Sequence, residues 1–180
     1  MTVHLLRHFE VDDRSNGYLT VTEFRHWVEK YDTLPLHVQK IDLPSDIELI
    51  LCSTLDRAKR TAQEFSSIET EYIQSLIEVN PQLSCRLNIK LKKYLWFTLG
   101  TLFWYFNLLK EENRVDSKKR SKEVCQQLYH LEQQNILIIS HGFFMKLLAQ
   151  ELIQNGFKGD MDLLPKNAKL YTFTLAQNKT

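Results

Sequence analysis

The sequence lacks an excess of either charge. Its 23 basic and 22 acidic residues leave a net charge of +1 over 180 residues, so there is no broad basic field of the kind that carries nucleic-acid binding. Nucleic acid is excluded as the expected partner, and any bound anion must be held locally. Cysteine is sparse too: Cys52, Cys85 and Cys125 are an odd number without metal-ligand spacing. That argues against a disulfide framework and against zinc, and for reduced thiols in a cytoplasmic protein. The opening string VHLLRH has no charged leader, long apolar core or small-residue cleavage site, so no signal peptide is expected. Repeats and low-complexity tracts are lacking as well.

What is present suits one domain over residues 1–180, since a chain of this length with 43% hydrophobic residues can build an ordinary core. Short Leu, Ile and Val-rich runs alternate with stretches of helical period, which predicts an α/β fold on a mostly parallel sheet. The expected strands are 2–7, 48–53, 71–77, 135–140 and 168–175, with a helix after each of the first four. Thr20 with Glu23 three residues on is a capping box that starts a helix after Thr20, and Ser53 with Asp56 repeats the spacing at the end of a strand. Polar stretches at 12–17, 32–46 and 110–122 read as loops.

One stretch departs from this plan. Residues 87–109 gather Trp96, Phe97, Phe103, Trp104, Tyr105 and Phe106 behind the cations Arg86, Lys90, Lys92 and Lys93. The uncharged part, 94–109, is shorter than the roughly 20 apolar residues that a spanning helix needs. A helical hairpin or long helix over the C-terminal edge of the sheet is expected, with a membrane-surface helix as the alternative.

Four predicted strands each hand over to a polar residue: Arg7 and His8, then Arg57 one turn beyond the second, then Glu78, then His141. In open parallel sheets the ligand crevice lies outside the carboxyl ends of the strands, so these residues should converge there. Two arginines and two histidines form a cradle for a compact dianion, because guanidinium donors match phosphate oxygens in a bidentate way. A neutral histidine can attack phosphorus, and a carboxyl can protonate the departing alkoxide and then deprotonate water. No metal or cofactor is needed.

The segments LLRHFE (5–10), CSTLDRAKRTA (52–62) and ILIISHGFFMKLLA (136–149) resemble the three signature blocks of the histidine phosphatase, or phosphoglycerate mutase-like, superfamily. The strand near Asn167–Phe173 resembles its closing strand. The resemblance implies a mixed, mostly parallel sheet flanked by helices as a three-layer sandwich. It also implies a metal-independent phosphatase with His8 as the phosphorylated histidine, and with Arg7, Arg57 and His141 on the phosphate. Glu78, within LIEVNP, stands where the family places its acid. Phe9 departs from the pattern, which normally has glycine there, and the asparagine and threonine that commonly follow have no counterpart in 11–16. A phosphate-binding module without turnover is therefore a second reading, and a mutase is a third, disfavoured by the compact chain. The expected substrate is a phosphorylated small molecule or phosphoprotein. Residues 79–114 are expected to cap the site, lending Arg86, Lys90, Lys92 and Lys93 and nearby rings to an ester with a sizeable organic part.

Overall fold

Successive side chains on a strand point to opposite faces, and in this chain both faces are apolar. In β1 (Thr2–Arg7) Val3 and Leu5 face one side and Leu6 the other. Leu49 and Leu51 against Ile50 and Cys52 repeat the division in β5 (Leu49–Ser53), as do Ile136 and Ile138 against Leu137 and Ile139 in β8 (Asn135–Ser140). Such strands must be covered on both sides, which gives three layers. α2 (Asp56–Gln63) closes one face with Ala58 and Ala62. α4 (Arg114–Leu128) and α5 (Gly142–Gln154) close the other with Val124, Leu128, Phe144 and Leu148. The computed structural model describes residues 1–80, 83 and 89–175. Cys85 and Arg86 lie outside them; Cys52 and Cys125 are buried free thiols.

The main sheet has six strands in the order β6-β5-β8-β1-β10-β9, where β6 is Thr70–Ile73, β9 Phe157–Lys158 and β10 Leu170–Leu175. The contacts β6–β5, β5–β8 and β8–β1 are parallel, while β10 runs antiparallel to β1 and to β9. The α/β expectation of a mixed, mostly parallel sheet flanked by helices therefore holds. Register carries the consequence for function. Arg7 lies opposite Ser140, Cys52 opposite Ile139, and Ser53 opposite Ile73, so the carboxyl ends of four strands finish in one row.

Outside this sheet, β2 (Glu10–Val11) pairs with β4 (Leu36–His37), and β3 (Tyr18–Leu19) pairs with β7 (Leu91–Lys92). The Thr20–Glu23 capping box starts α1 (Val21–Tyr31) as expected. The aromatic stretch forms a single helix, α3 (Lys93–Tyr105), rather than a hairpin. Trp96, Gly100 and Trp104 recur every four residues and form its buried stripe, with the Trp96 indole donating to Leu19 O at 2.7 Å and that of Trp104 to Ser117 Oγ at 2.9 Å.

Three boundaries differ from the sequence reading. The 110–122 stretch is mostly α4, not a loop: Asn113 and Asp116 make a capping box, and the buried stripe uses Ser117 and Ser121 where an apolar residue would have shown the period. The third strand stops at Ile73, and a short 3-10 turn over Gln74–Leu76 follows. Ser53 does not cap α2, whose N-cap is Leu55 without a side-chain bond.

Candidate functional site

The aligned strand ends open into a cavity of about 1050 Å³ lined by Arg7, His8, Arg57 and Glu78, among others. His141 is fully buried, and its ring lies 5.1 Å from that of His8, centroid to centroid. The register thus brings together all five residues singled out at the strand ends.

His8 leaves the sheet just after β1, with its backbone N–H still donating to Ser140 O and its carbonyl accepting from Asn167 Nδ2 at 2.7 Å. Its Nδ1 lies 2.6 Å from Phe9 O. A carbonyl only accepts, so Nδ1 must carry the proton, and the lone pair is left on Nε2. Arg57 Nε donates to that Nε2 at 3.2 Å. Burial, and next the Arg57 charge, push the His8 imidazole down to about 3, so it is neutral near pH 7. Burial and the same guanidinium hold His141 well below its ordinary value.

Arg57 is placed by groups that the sequence reading missed. Asp32, the C-cap of α1, accepts from Arg57 Nη1 at 2.8 Å and from the backbone N–H groups of Asp56 and Arg57 at 2.8 and 3.2 Å. It therefore caps α2 from 24 residues upstream while gripping the guanidinium. Tyr31 adds its ring 5.6 Å beneath the same group. Asp32 stood in a stretch read as a loop, with no local pattern to mark it. Ser53 is occupied by the site rather than by the helix: its Oγ lies 2.7 Å from His141 Nε2.

Arg7 donates through Nη1 to Pro165 O at 2.8 Å and packs against Gly142, where a Cβ would come within 3.3 Å of the guanidinium. Glycine at the start of α5 thus admits the arginine. Arg7 Nε and His141 Nδ1 are buried without a protein partner, and an anion is the kind of group that satisfies such nitrogens. Glu78 reaches the N-terminus of α5, accepting from Phe144 N at 3.0 Å and Phe143 N at 3.3 Å, and from its neighbour Val79 N at 3.0 Å. Burial raises its pKa, while the Phe144 and Phe143 amides and the Arg57 and Arg7 charges pull the other way.

Phe9 has its backbone N–H on Thr61 Oγ1 at 3.0 Å and a side chain that is fully buried and absent from the cavity wall. Its φ is not positive: among the described residues only Asn107, Gly156 and Ala168 have that conformation. Neither backbone strain nor a narrowed pocket follows from the missing glycine.

At the mouth, Lys92, Lys93, Tyr94 and Phe97 line the cavity together with Trp27 and Tyr31, with the Phe97 ring 5.8 Å from that of Trp27. Lys93 is already engaged, with Nζ 2.5 Å from Asp13 Oδ2 and 2.9 Å from Ser15 Oγ, and 4.7 Å above the Trp27 ring. Burial opposes charge on Asp13, but the bonds from Lys93 and Ser15 outweigh it and hold the carboxyl at about 2. Lys90 is exposed and is not part of the cavity wall.

The family model of the histidine phosphatase superfamily (branch 1) matches residues 42–180, well over half of the sequence. The chain belongs to this superfamily. The matched span holds Arg57, Glu78 and His141 and begins after Arg7 and His8. Similar folds occur in a phosphoserine phosphatase of Entamoeba histolytica (TM-score 0.59, 14% identity, 98% of this chain and 91% of that one). They occur also in the alpha-ribazole phosphatase of Shigella flexneri (0.58, 18%, 98% and 92%) and a putative alpha-ribazole-5'-P phosphatase of Escherichia coli (0.54, 21%, 85% and 79%). At these identities the likeness is one of fold. No curated protein matches the sequence.

Proposed function

We propose that this member of the histidine phosphatase superfamily hydrolyses a phosphomonoester through a phosphohistidine on His8. The observation that carries the reading is the state of that imidazole: Nδ1 is committed to Phe9 O, and Nε2 is unprotonated and aimed at a guanidinium. A phosphoryl group entering the cavity gives Arg57 and Arg7 oxygens to bind and releases the Nε2 lone pair. Nε2 then attacks phosphorus, the P–O bond to the leaving group breaks, and Glu78 supplies the alkoxide with its proton. In the second step water attacks phosphorus, the P–N bond breaks, Glu78 takes the proton from water, and Nε2 recovers its lone pair. Arg7, Arg57 and His141 stabilise the charge on the equatorial oxygens, where fixed donors have most effect.

The raised pKa of Glu78 supports the acid role, since it keeps a larger protonated fraction near neutrality. The cavity volume and the Trp27, Tyr31, Tyr94 and Phe97 walls support an ester with a sizeable organic part, with residues 79–114 acting as the cap. Similar folds act, by their names, on phosphoserine and ribazole phosphate, which favours a small phosphorylated molecule as substrate. The reading as a binding module rested on Phe9, and the buried, unstrained placement of that residue gives it no support. The test is His8→Ala assayed on a panel of phosphate esters, together with acid-quench trapping of the phosphoryl-enzyme. Turnover should fall by at least about a thousandfold and the trapped label should vanish. Wild-type turnover in the variant would sink the mechanism.

A further inference from the structure

A surface helix normally carries charge on the face away from the core, and α3 does not. Residues 94–109 contain no charged side chain, yet only the Trp96–Gly100–Trp104 stripe and Leu109 are buried. With 100° between successive residues, the face opposite that stripe holds Leu95, Thr98, Leu102, Tyr105 and Phe106. Tyr105 is 50% exposed, Phe106 64% and the following Leu108 62%. Water is a poor partner for so continuous an apolar surface, and patches of this kind mark interaction sites.

Charge indicates what covers it. Residues 89–122, which comprise α3 and its flanks, hold nine basic and three acidic side chains, a net of +6. The whole chain carries +1, so the remainder carries −5. Lys90 and Lys92 lie at one end of the helix, and Lys110, Lys118 and Lys119 at the other, all exposed. A second copy docking through the same face would bring two such fields together, which disfavours self-association. Tyrosine, phenylalanine and leucine rimmed by lysine match the boundary between anionic headgroups and acyl chains. No helix among the described residues is long and apolar enough to cross a membrane.

We propose that the outer face of α3 docks on an anionic lipid surface, with Leu102, Tyr105, Phe106 and Leu108 entering the interface and the flanking lysines on the headgroups. Tyr94 and Phe97 of the same helix line the cavity, so docking sets its mouth beside the lipid.

Co-sedimentation of the full chain with phosphatidylserine–phosphatidylcholine vesicles, against pure phosphatidylcholine vesicles, tests this directly. Partition should be at least about tenfold stronger on the anionic vesicles and weaken as salt is raised. Leu102→Glu with Phe106→Glu should abolish it, and Lys110→Glu with Lys118→Glu should weaken it severalfold. The second pair leaves the apolar face intact and decides the matter if the first fails to fold. Equal partition on both vesicle types, or binding unchanged by both pairs, overturns the proposal. So does a wild-type dimer in light scattering that Leu102→Glu with Phe106→Glu dissociates while vesicles bind neither form.

Discussion

The floor and the mouth of the cavity are built on different principles. The floor is a row of strand ends whose relative positions follow from the register of buried backbone ladders. Its side chains inherit that precision: His8 N–H is still bonded to the neighbouring strand, and His141 begins α5 directly after β8. The mouth is assembled from α1, the 12–17 loop and α3, joined by the packing of Phe24 and Trp27 on Trp96 and Phe97 and by polar contacts such as Lys93 with Asp13, with only one two-residue ladder beside them. Chemistry demands placement to a fraction of an ångström, and the floor supplies it. A substrate-sized opening needs only shape, and side-chain packing without a continuous ladder supplies that.

The sharpest break in this comparison is at Glu78, a floor residue whose proposed work depends on the substrate. Protonation helps most when the departing alkoxide is basic, so Glu78→Gln should lower kcat on an alkyl phosphate by about 10²–10⁴-fold and on an activated aryl phosphate far less. Equal losses on both would remove Glu78 from the acid role.

Next in size is Asp32, which joins mouth to floor by binding Arg57 and capping α2. Asp32→Ala removes both functions and leaves a mostly buried guanidinium unpaired, at a cost of about 3 kcal/mol in denaturant unfolding. Asp32→Asn keeps an oxygen for the helix N-terminus and should retain more of that stability, yet it loosens Arg57 and lowers kcat/KM by about tenfold or more. If both variants keep wild-type kcat/KM, Arg57 does not depend on Asp32 for its placement.

Acid should weaken the floor before the mouth. His8 has a folded-state pKa depressed to about 3 against an ordinary 6.5, so the unfolded chain binds the extra proton first. The resulting stability is fully present above pH 6.5 and is lost as pH falls towards 3, at about 1.4 kcal/mol per pH unit for the one group. His141 adds in the same direction. His8→Asn should show a shallower loss of stability than the wild type over that window in urea titrations. Parallel curves would mean that His8 is not buried neutral. Asp13 behaves oppositely to an unpaired buried acid: its carboxyl is held at about 2 against an ordinary 3.8, so the stability from the Lys93 contact is lost only as pH falls from 3.8 towards 2, at the acid end of the range in which His8 acts.

The same division decided what the sequence could tell. Strands 2–7 and 135–140 were legible residue by residue, because a run apolar on both faces has few alternatives to a buried parallel strand. Arg7, His8 and His141 were legible as strand-end residues for the same reason, and Arg57 as one turn beyond its strand, whereas Glu78 was expected to follow a strand over 71–77 and in fact lies beyond a 3-10 turn that follows Ile73. Asp32 was not, because its partners lie 24 and 25 residues away and nothing local distinguishes it from other loop carboxylates. α4 was missed although Asn113-x-x-Asp116 announced its start, because serines at 117 and 121 break the hydrophobic period. Lys93 was expected to serve the substrate, but it is held by Asp13 and Ser15 in a contact across 78 to 80 residues that no window of sequence reveals.

The smallest expected effect tests how tightly the floor is held from behind. Ala168 follows Asn167, the residue that clamps His8 O, and its own N–H donates to Arg7 O. To make both bonds the chain turns through φ 57 at Ala168, a left-handed conformation that costs a residue with a Cβ about 1 kcal/mol. Glycine would relieve that cost while adding freedom to the unfolded chain, so Ala168→Gly should change stability by only a few tenths of a kcal/mol, on the stabilising side. Activity should be unchanged, because the bonds to His8 O and Arg7 O use the Asn167 side chain and the backbone alone. A bulkier β-branched Ala168→Val should instead destabilise by about 1 kcal/mol and, by shifting the Asn167 clamp, lower kcat more than it alters KM. If Val is accepted at 168 without loss of either stability or kcat, the floor is not positioned from this side, and strand register alone sets His8.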